Sequence, residues 1–247
     1  MRKTATLFCL VLFLIPMAAP AQNGVKDFFT QVDVFMKKYV RDGRFDYKSL
    51  KENEEKQELE RLRIATKRVY LPNMASNWEK AYWINAYNVS VISLLNTHYP
   101  VASPRDIEGF FDHISLFLAQ KRVTLDQIEN EYLRKKFKDP RIHFALVCGA
   151  KGCPPLADFA FRGDIIDQQL DARARAALND NNFIRVDKEA KKVYVSEIFK
   201  WFKDDFTAGG KSVLQFINQY RDEKIPEDFS VDYYPYDWSL NEYTEKD

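Results

Sequence analysis

Sulfur and imidazole are scarce in this chain: 247 residues contain three cysteines and three histidines. Thiol or imidazole chemistry is therefore confined to Cys9, Cys148, Cys153, His98, His113 and His143. Glycine is sparse as well, at eight residues, and neither a Gly-rich phosphate loop nor a Gly-x-Ser-x-Gly elbow occurs. Those absences exclude the usual nucleotide cradle and the usual serine nucleophile. Neither sign of charge dominates, since 37 Lys and Arg face 36 Asp and Glu. This balance gives no electrostatic basis for binding nucleic acid or an anionic membrane surface. Internal repeats and low-complexity linkers are missing, and no apolar run beyond the N terminus is long enough to span a bilayer.

What is abundant is aromatic. Phe 19, Tyr 13 and Trp 4 bring the aromatic share to 15%, within a hydrophobic share of 46%, enough for a large core of rings. At the N terminus Arg2 and Lys3 precede the apolar run Leu7–Ile15, Pro16 breaks it, and Ala19 and Ala21 fit the small-residue positions of a signal-peptidase site. Residues 1–21 are expected to be a cleaved signal peptide, with an uncleaved anchor as the alternative. The mature protein is then secreted or periplasmic, without an integral membrane segment. Cys9 lies inside the apolar run, so only Cys148 and Cys153 remain, in a compartment that favours disulfides.

Apolar spacing predicts a helix over 25–40 and a charged helix over 51–68, which together form an N-terminal helical extension, 22–69. Residues 77–97 are apolar nearly all round, predicting a buried central helix capped by Ser76 or Asn77, with Asn85 and Asn88 one turn apart. A buried amide left unpaired costs about 1–3 kcal/mol. These two side chains must therefore tie down a loop or orient a catalytic group. A short hairpin is expected near 115–125, followed by a helix capped by Thr124 that carries Ile128, Glu129 and Leu133. Ile142–Val147 reads as a buried strand, 164–179 as a helix, 183–195 as a β-hairpin, and 196–202 and 211–220 as helices. The expected fold is α+β: one mainly helical domain, 70–247, with a small antiparallel sheet of about three strands around the buried helix.

His143, Cys148 and Cys153 fall within eleven positions, the densest cluster of reactive groups in the chain. On a regular strand His143 and Cys148 point to opposite faces. Cys153 precedes Pro154-Pro155, a helix-opening pair, so its thiolate would gain from a helix N-terminus. A thiol there with an imidazole nearby is the arrangement of cysteine hydrolases, with Asn85, Asn88 or Glu129 orienting the ring. A Cys148–Cys153 disulfide, a zinc site and an inert core histidine stand as alternatives. Acid pairs such as Asp204-Asp205 read as solvated faces.

Several ordered strings resemble one known family. They are Tyr82-Trp83-Ile84-Asn85-Ala86-Tyr87-Asn88, Leu125-Asp126-Gln127-Ile128-Glu129 with Leu133-Arg134, Asp139 to Cys148, Cys153-Pro154-Pro155-Leu156, and Ser196 to Phe202 with Asp205-Phe206. Over roughly 70–220 they resemble the family called domain of unknown function 547. The resemblance implies a shared pocket but no established activity. Its polar positions are Asn85, Asn88, Glu129, Arg134, His143, Cys148 and Cys153. Its intracellular members, which carry a similar cysteine pair, argue against an obligatory disulfide. The candidate catalytic residues are thus His143, Cys153, Cys148, Glu129 and Asn85, and the candidate substrate contacts are Asn88, Arg134, Tyr87 and Trp83. No metal or cofactor is expected. The expected activity is thiol-dependent hydrolysis or acyl transfer on a small molecule, peptide or glycan. The rival is a non-enzymatic module that binds a protein, peptide or glycan.

Overall fold

The computed structural model describes residues 20–52 and 57–245; the expected leader falls almost wholly outside the described residues. Helix α1 (Pro20–Tyr39) leads through a two-residue hairpin, β1 (Val40–Arg41) and β2 (Arg44–Phe45), to α2 (Tyr47–Glu52) and α3 (Gln57–Arg68). Helix α4 (Ser76–His98) is the axis of the first half, and every residue from Lys80 to Ser93 is buried. Its all-round apolar surface demands neighbours on every side. Helices α1 and α3 supply two of them, and the Phe28 ring lies 5.2 Å from that of Tyr82. The 22–69 segment therefore shares its core with the region that follows. Neither Ser76 nor Asn77 caps α4, because the helix begins at Ser76 after Ala75, which has no capping side chain.

Beyond α4, β3 (Leu116–Leu118) and β4 (Lys121–Val123) form the expected hairpin. Thr124 and Gln127 then make a reciprocal capping box that opens α5 (Leu125–Gln127). The helix widens into a π segment over Ile128–Arg134 before closing as α6 (Lys135–Phe137). In a π segment residues five apart stack along one side, as residues four apart do in an α-helix. Glu129 and Arg134 are five apart and share that side.

The strand expected at 142–147 does not form; Pro140–Phe144 is a short 3₁₀ helix. Asp139 accepts the Arg141 N–H at its start, with Pro140 in the first turn. Asn88 then takes the backbone groups that a strand partner would have met: it donates to Ala145 C=O at 2.9 Å and accepts Val147 N–H at 3.0 Å. Pro154-Pro155 likewise opens no helix. Leu156 N–H donates to Gly43 C=O, and Asn85 clasps the Phe161 backbone, so that run is satisfied by its neighbours.

The second half holds α7 (Ile166–Asn179), β5 (Ile184–Asp187), β6 (Lys192–Ser196), α8 (Ile198–Trp201), α9 (Lys203–Phe206), α10 (Val213–Tyr220) and β7 (Ser230–Tyr234). The sheet has the expected three strands in the order β5-β6-β7, but it is mixed. β5 and β6 pair antiparallel as the hairpin, whereas β7 adds parallel to β6, placing Val195 opposite both Ile184 and Tyr233. The reason is topological: β7 returns to the sheet through α10, a long connection that permits parallel entry.

After β7 the chain turns back over the first half. Its backbone clamps the Cys148–Cys153 loop, with Gly149 C=O accepting from Asn241 N–H, Lys151 N–H reaching Ser239 C=O and Gly152 N–H reaching Asp237 C=O. Gly149 sits at φ +84°, and a Cβ there would run into Leu95 of α4. Only glycine brings this loop so close to the central helix. Replacing Asn88 by Ala leaves Ala145 C=O and Val147 N–H unpaired in the core. The N88A variant is expected to lose about 2–3 kcal/mol in urea unfolding; an unchanged midpoint would show that the tie is dispensable.

Candidate functional site

A cavity of about 180 Å³ opens where the π segment, the cysteine loop, α8 and the returning chain meet. Its polar lining is Asp126, Glu129, His143, Cys148 and Cys153, with Tyr87 and Tyr236 adding hydroxyls. Phe111, Trp201, Phe202 and Trp238 form most of the apolar lining.

On one wall the His143 Nε2–H donates to Asp205 Oδ2 at 2.7 Å. Arg134 grips the same carboxylate with two nitrogens, at 2.6 and 3.2 Å. Burial works against ionising Asp205, but the hydrogen bonds from His143 and Arg134 outweigh it and bring its pKa down to about 2. Burial depresses the His143 pKa, against the pull of Asp205. A neutral ring that donates from Nε2 leaves Nδ1 as a lone pair, and this faces Glu129 Oε1 at 3.9 Å. Phe202 stacks on the imidazole, 4.2 Å between centroids, and also carries the Arg134 guanidinium at 4.6 Å.

Glu129 keeps 18% of its side-chain surface accessible. Burial raises its carboxyl to about 7; Arg134 opposes the rise, while Asp126 and Asp205 add to it. The Tyr87 hydroxyl faces it and helps to hold the proton balance of the pair. The cavity thus holds one acid–base group poised near neutrality, which is where such groups work best.

Cys148 and Cys153, in the same lining, form a disulfide, with Cα atoms 6.5 Å apart. Both residues are partly accessible. Cys148 N–H donates to Cys153 Sγ at 3.1 Å, and the Tyr236 hydroxyl lies 3.0 Å from each sulfur. Burial pushes the Tyr236 phenol up, so it keeps its proton and serves as a donor.

The model of the family described as "Protein of unknown function, DUF547" matches residues 71–177. This stretch of the chain belongs to that family. It supplies Tyr87, Glu129, His143 and both cysteines, whereas Asp205, Trp201 and Tyr236 lie beyond the matched DUF547 residues. No curated protein and no solved structure matches the chain.

The fold gathers five of the nine candidate residues at the cavity: Glu129, His143, Cys148, Cys153 and Tyr87. Arg134 stands behind His143 through Asp205. Asn85 and Asn88 tie loops to α4, outside the lining. Trp83 is fully buried and stacks on Tyr132 at 4.4 Å. Among the described residues, no group of three or more His, Cys, Asp or Glu is placed to hold a metal ion, and no helix is long and apolar enough to cross a membrane. Asp205 corrects the solvated-face reading of its acid pair: its side chain is 25% exposed and makes three hydrogen bonds. The string Asp205-Phe206 was the available signal for it. Tyr236, 83 residues after Cys153, had none.

Because the raised carboxyl favours the proton, the Glu129 contribution to stability is fully present below about pH 4.5. It is lost as pH climbs through about 7. Glu129→Gln removes the titration. The variant is expected to match the parent near pH 4 and to exceed it by up to about 3 kcal/mol near pH 8. Thermal unfolding at both pH values checks this, and a pH-independent difference would contradict it.

Proposed function

We propose that the cavity is a sulfur-based active site whose reacting group is the Cys148–Cys153 pair, and that its chemistry is thiol–disulfide exchange. The observation that carries this reading is the pair of donors on Cys153: Cys148 N–H at 3.1 Å and the Tyr236 hydroxyl at 3.0 Å. A sulfur so solvated is the better leaving group. A substrate thiolate attacks Cys148 Sγ, the Cys148–Cys153 bond breaks, and Cys153 departs as a thiolate held by its two donors. A second substrate thiolate then attacks the substrate sulfur of the mixed disulfide and releases Cys148. Two thiols become one disulfide, and the protein disulfide becomes a dithiol. Ionised Glu129 accepts the proton of the incoming thiol, and another disulfide resets the pair. The leader expected at residues 1–21 agrees with this reading, because an exported chain would meet a compartment in which disulfides persist.

A second reading, thiol-dependent hydrolysis or acyl transfer, is favoured by the same donors. Once reduced, Cys153 is a stabilised thiolate able to attack an acyl carbon, and Glu129 can protonate the leaving group. The His143 Nε2–H is engaged by Asp205 at 2.7 Å and Nδ1 lies 3.9 Å from Glu129, so this reading gives the acid–base role to Glu129. Should neither chemistry occur, the cavity is a binding site for a small molecule, peptide or glycan.

The test is turnover of hydroxyethyl disulfide with dithiothreitol. Parent protein is expected to catalyse exchange, Cys148→Ser and Cys153→Ser to abolish it, and Tyr236→Phe to slow it about tenfold by removing one donor. The Cys153 thiol should alkylate with a pKa well below about 8.5 in the reduced parent. Exchange no faster than with free cysteine would end this reading. Hydrolysis of an aryl thioester by reduced but not oxidised protein would favour the second.

A further inference from the structure

We propose that the mouth of this cavity is a binding site for an organic cation, an alkylated or quaternary ammonium group, seated against the packed rings of Trp201, Tyr236 and Trp238 and neutralised by Asp126 and Glu129. The proposal goes beyond the sulfur chemistry and does not depend on it. Trp201 remains 44% exposed, which is unusual for so large an apolar side chain. Its ring lies 5.0 Å from Tyr236 and 5.9 Å from Trp238, and Tyr236 and Trp238 are 4.8 Å apart. Three electron-rich rings converge on one opening, and Phe111 extends the wall 6.2 Å from Trp238. Aromatic faces attract cations, most strongly where water is excluded.

Charge points the same way. Two carboxylates line the cavity, and no lysine or arginine does. The Arg105 guanidinium rests 5.4 Å over the Trp238 ring, so that face of the ring is already taken and an incoming cation must use the remaining aromatic wall. A negatively charged ligand would meet two acids with no basic side chain in the lining, whereas a neutral one would leave the carboxylates uncompensated. The volume, about 180 Å³, suits a single head group, since an engineered cavity of about 150 Å³ holds benzene.

Glu129 makes the site pH-dependent. The groups facing it are Arg134 and Asp126 on its own helical run, Tyr87 on α4, His143, Asp205 and Tyr236. Arg134 is held by Asp205, so a bound cation becomes the partner that favours ionised Glu129.

Choline and its neutral isostere 3,3-dimethylbutan-1-ol are the probes, titrated by tryptophan fluorescence and calorimetry on the oxidised full chain. Choline is expected to bind about tenfold tighter than the alcohol. Its affinity should rise about fivefold or more between about pH 5.5 and about pH 8. Glu129→Gln should weaken choline while leaving the alcohol little changed, and Trp238→Ala should weaken choline more than the alcohol. Equal affinity for the two probes, no saturable choline binding, or choline binding indifferent to both variants would overturn the proposal. The comparison of probes on the parent needs no variant to fold. Because it reads binding alone, its failure leaves the exchange reading standing, and failure of exchange leaves the cation site standing.

Discussion

One carboxylate holds the cavity together. Asp205, on the short helix α9 in the second half of the chain, is gripped by Arg134 and His143 from the first half. Two largely separate apolar clusters, one around α4 and one around the mixed sheet, meet at this polar junction. Ionised Asp205 fixes the tautomer of His143, which in turn sets the face the ring presents to Glu129. Asn88 provides the matching constraint on the other side, binding the backbone just before Cys148. The positions of the acid and of the sulfurs therefore follow from two side chains that do not themselves line the cavity.

Much of the architecture was legible because its signals are local. The unbroken apolar character of Trp78 to Leu95 dictates a buried helix, and the two amides inside it had to bond to something specific. Thr124 and Gln127 announce their own cap. What was illegible was decided at a distance. Ile142–Val147 has a strand's composition, yet Asn88 occupies the backbone groups a strand would use. Pro154-Pro155 has a helix-opening pattern, yet neighbours from Gly43 and Asn85 satisfy that run. The parallel pairing of β7 depends on a connection through α10 that no periodicity encodes.

The candidate site was legible in the same uneven way. Scarcity singled out His143 and the cysteines, since so few imidazoles and thiols exist, and their proximity in sequence became proximity in space. The π widening that aligns Glu129 with Arg134 leaves no mark in the residue pattern. Asp205 looked like half of a solvated acid pair because nothing near it in sequence shows an imidazole waiting across the fold. The aromatic wall of Trp201, Tyr236 and Trp238 is assembled from a helix and the returning chain.

That returning chain has a consequence for how the protein matures. The hydroxyl that solvates the sulfurs and the backbone that clamps their loop emerge from the ribosome 83 residues after Cys153. Throughout that interval the two thiols sit on a nascent polypeptide with no roof over them, open to any oxidant or stray partner they encounter. A bond made in that interval forms without the hydroxyl and the clamp that surround it in the folded chain.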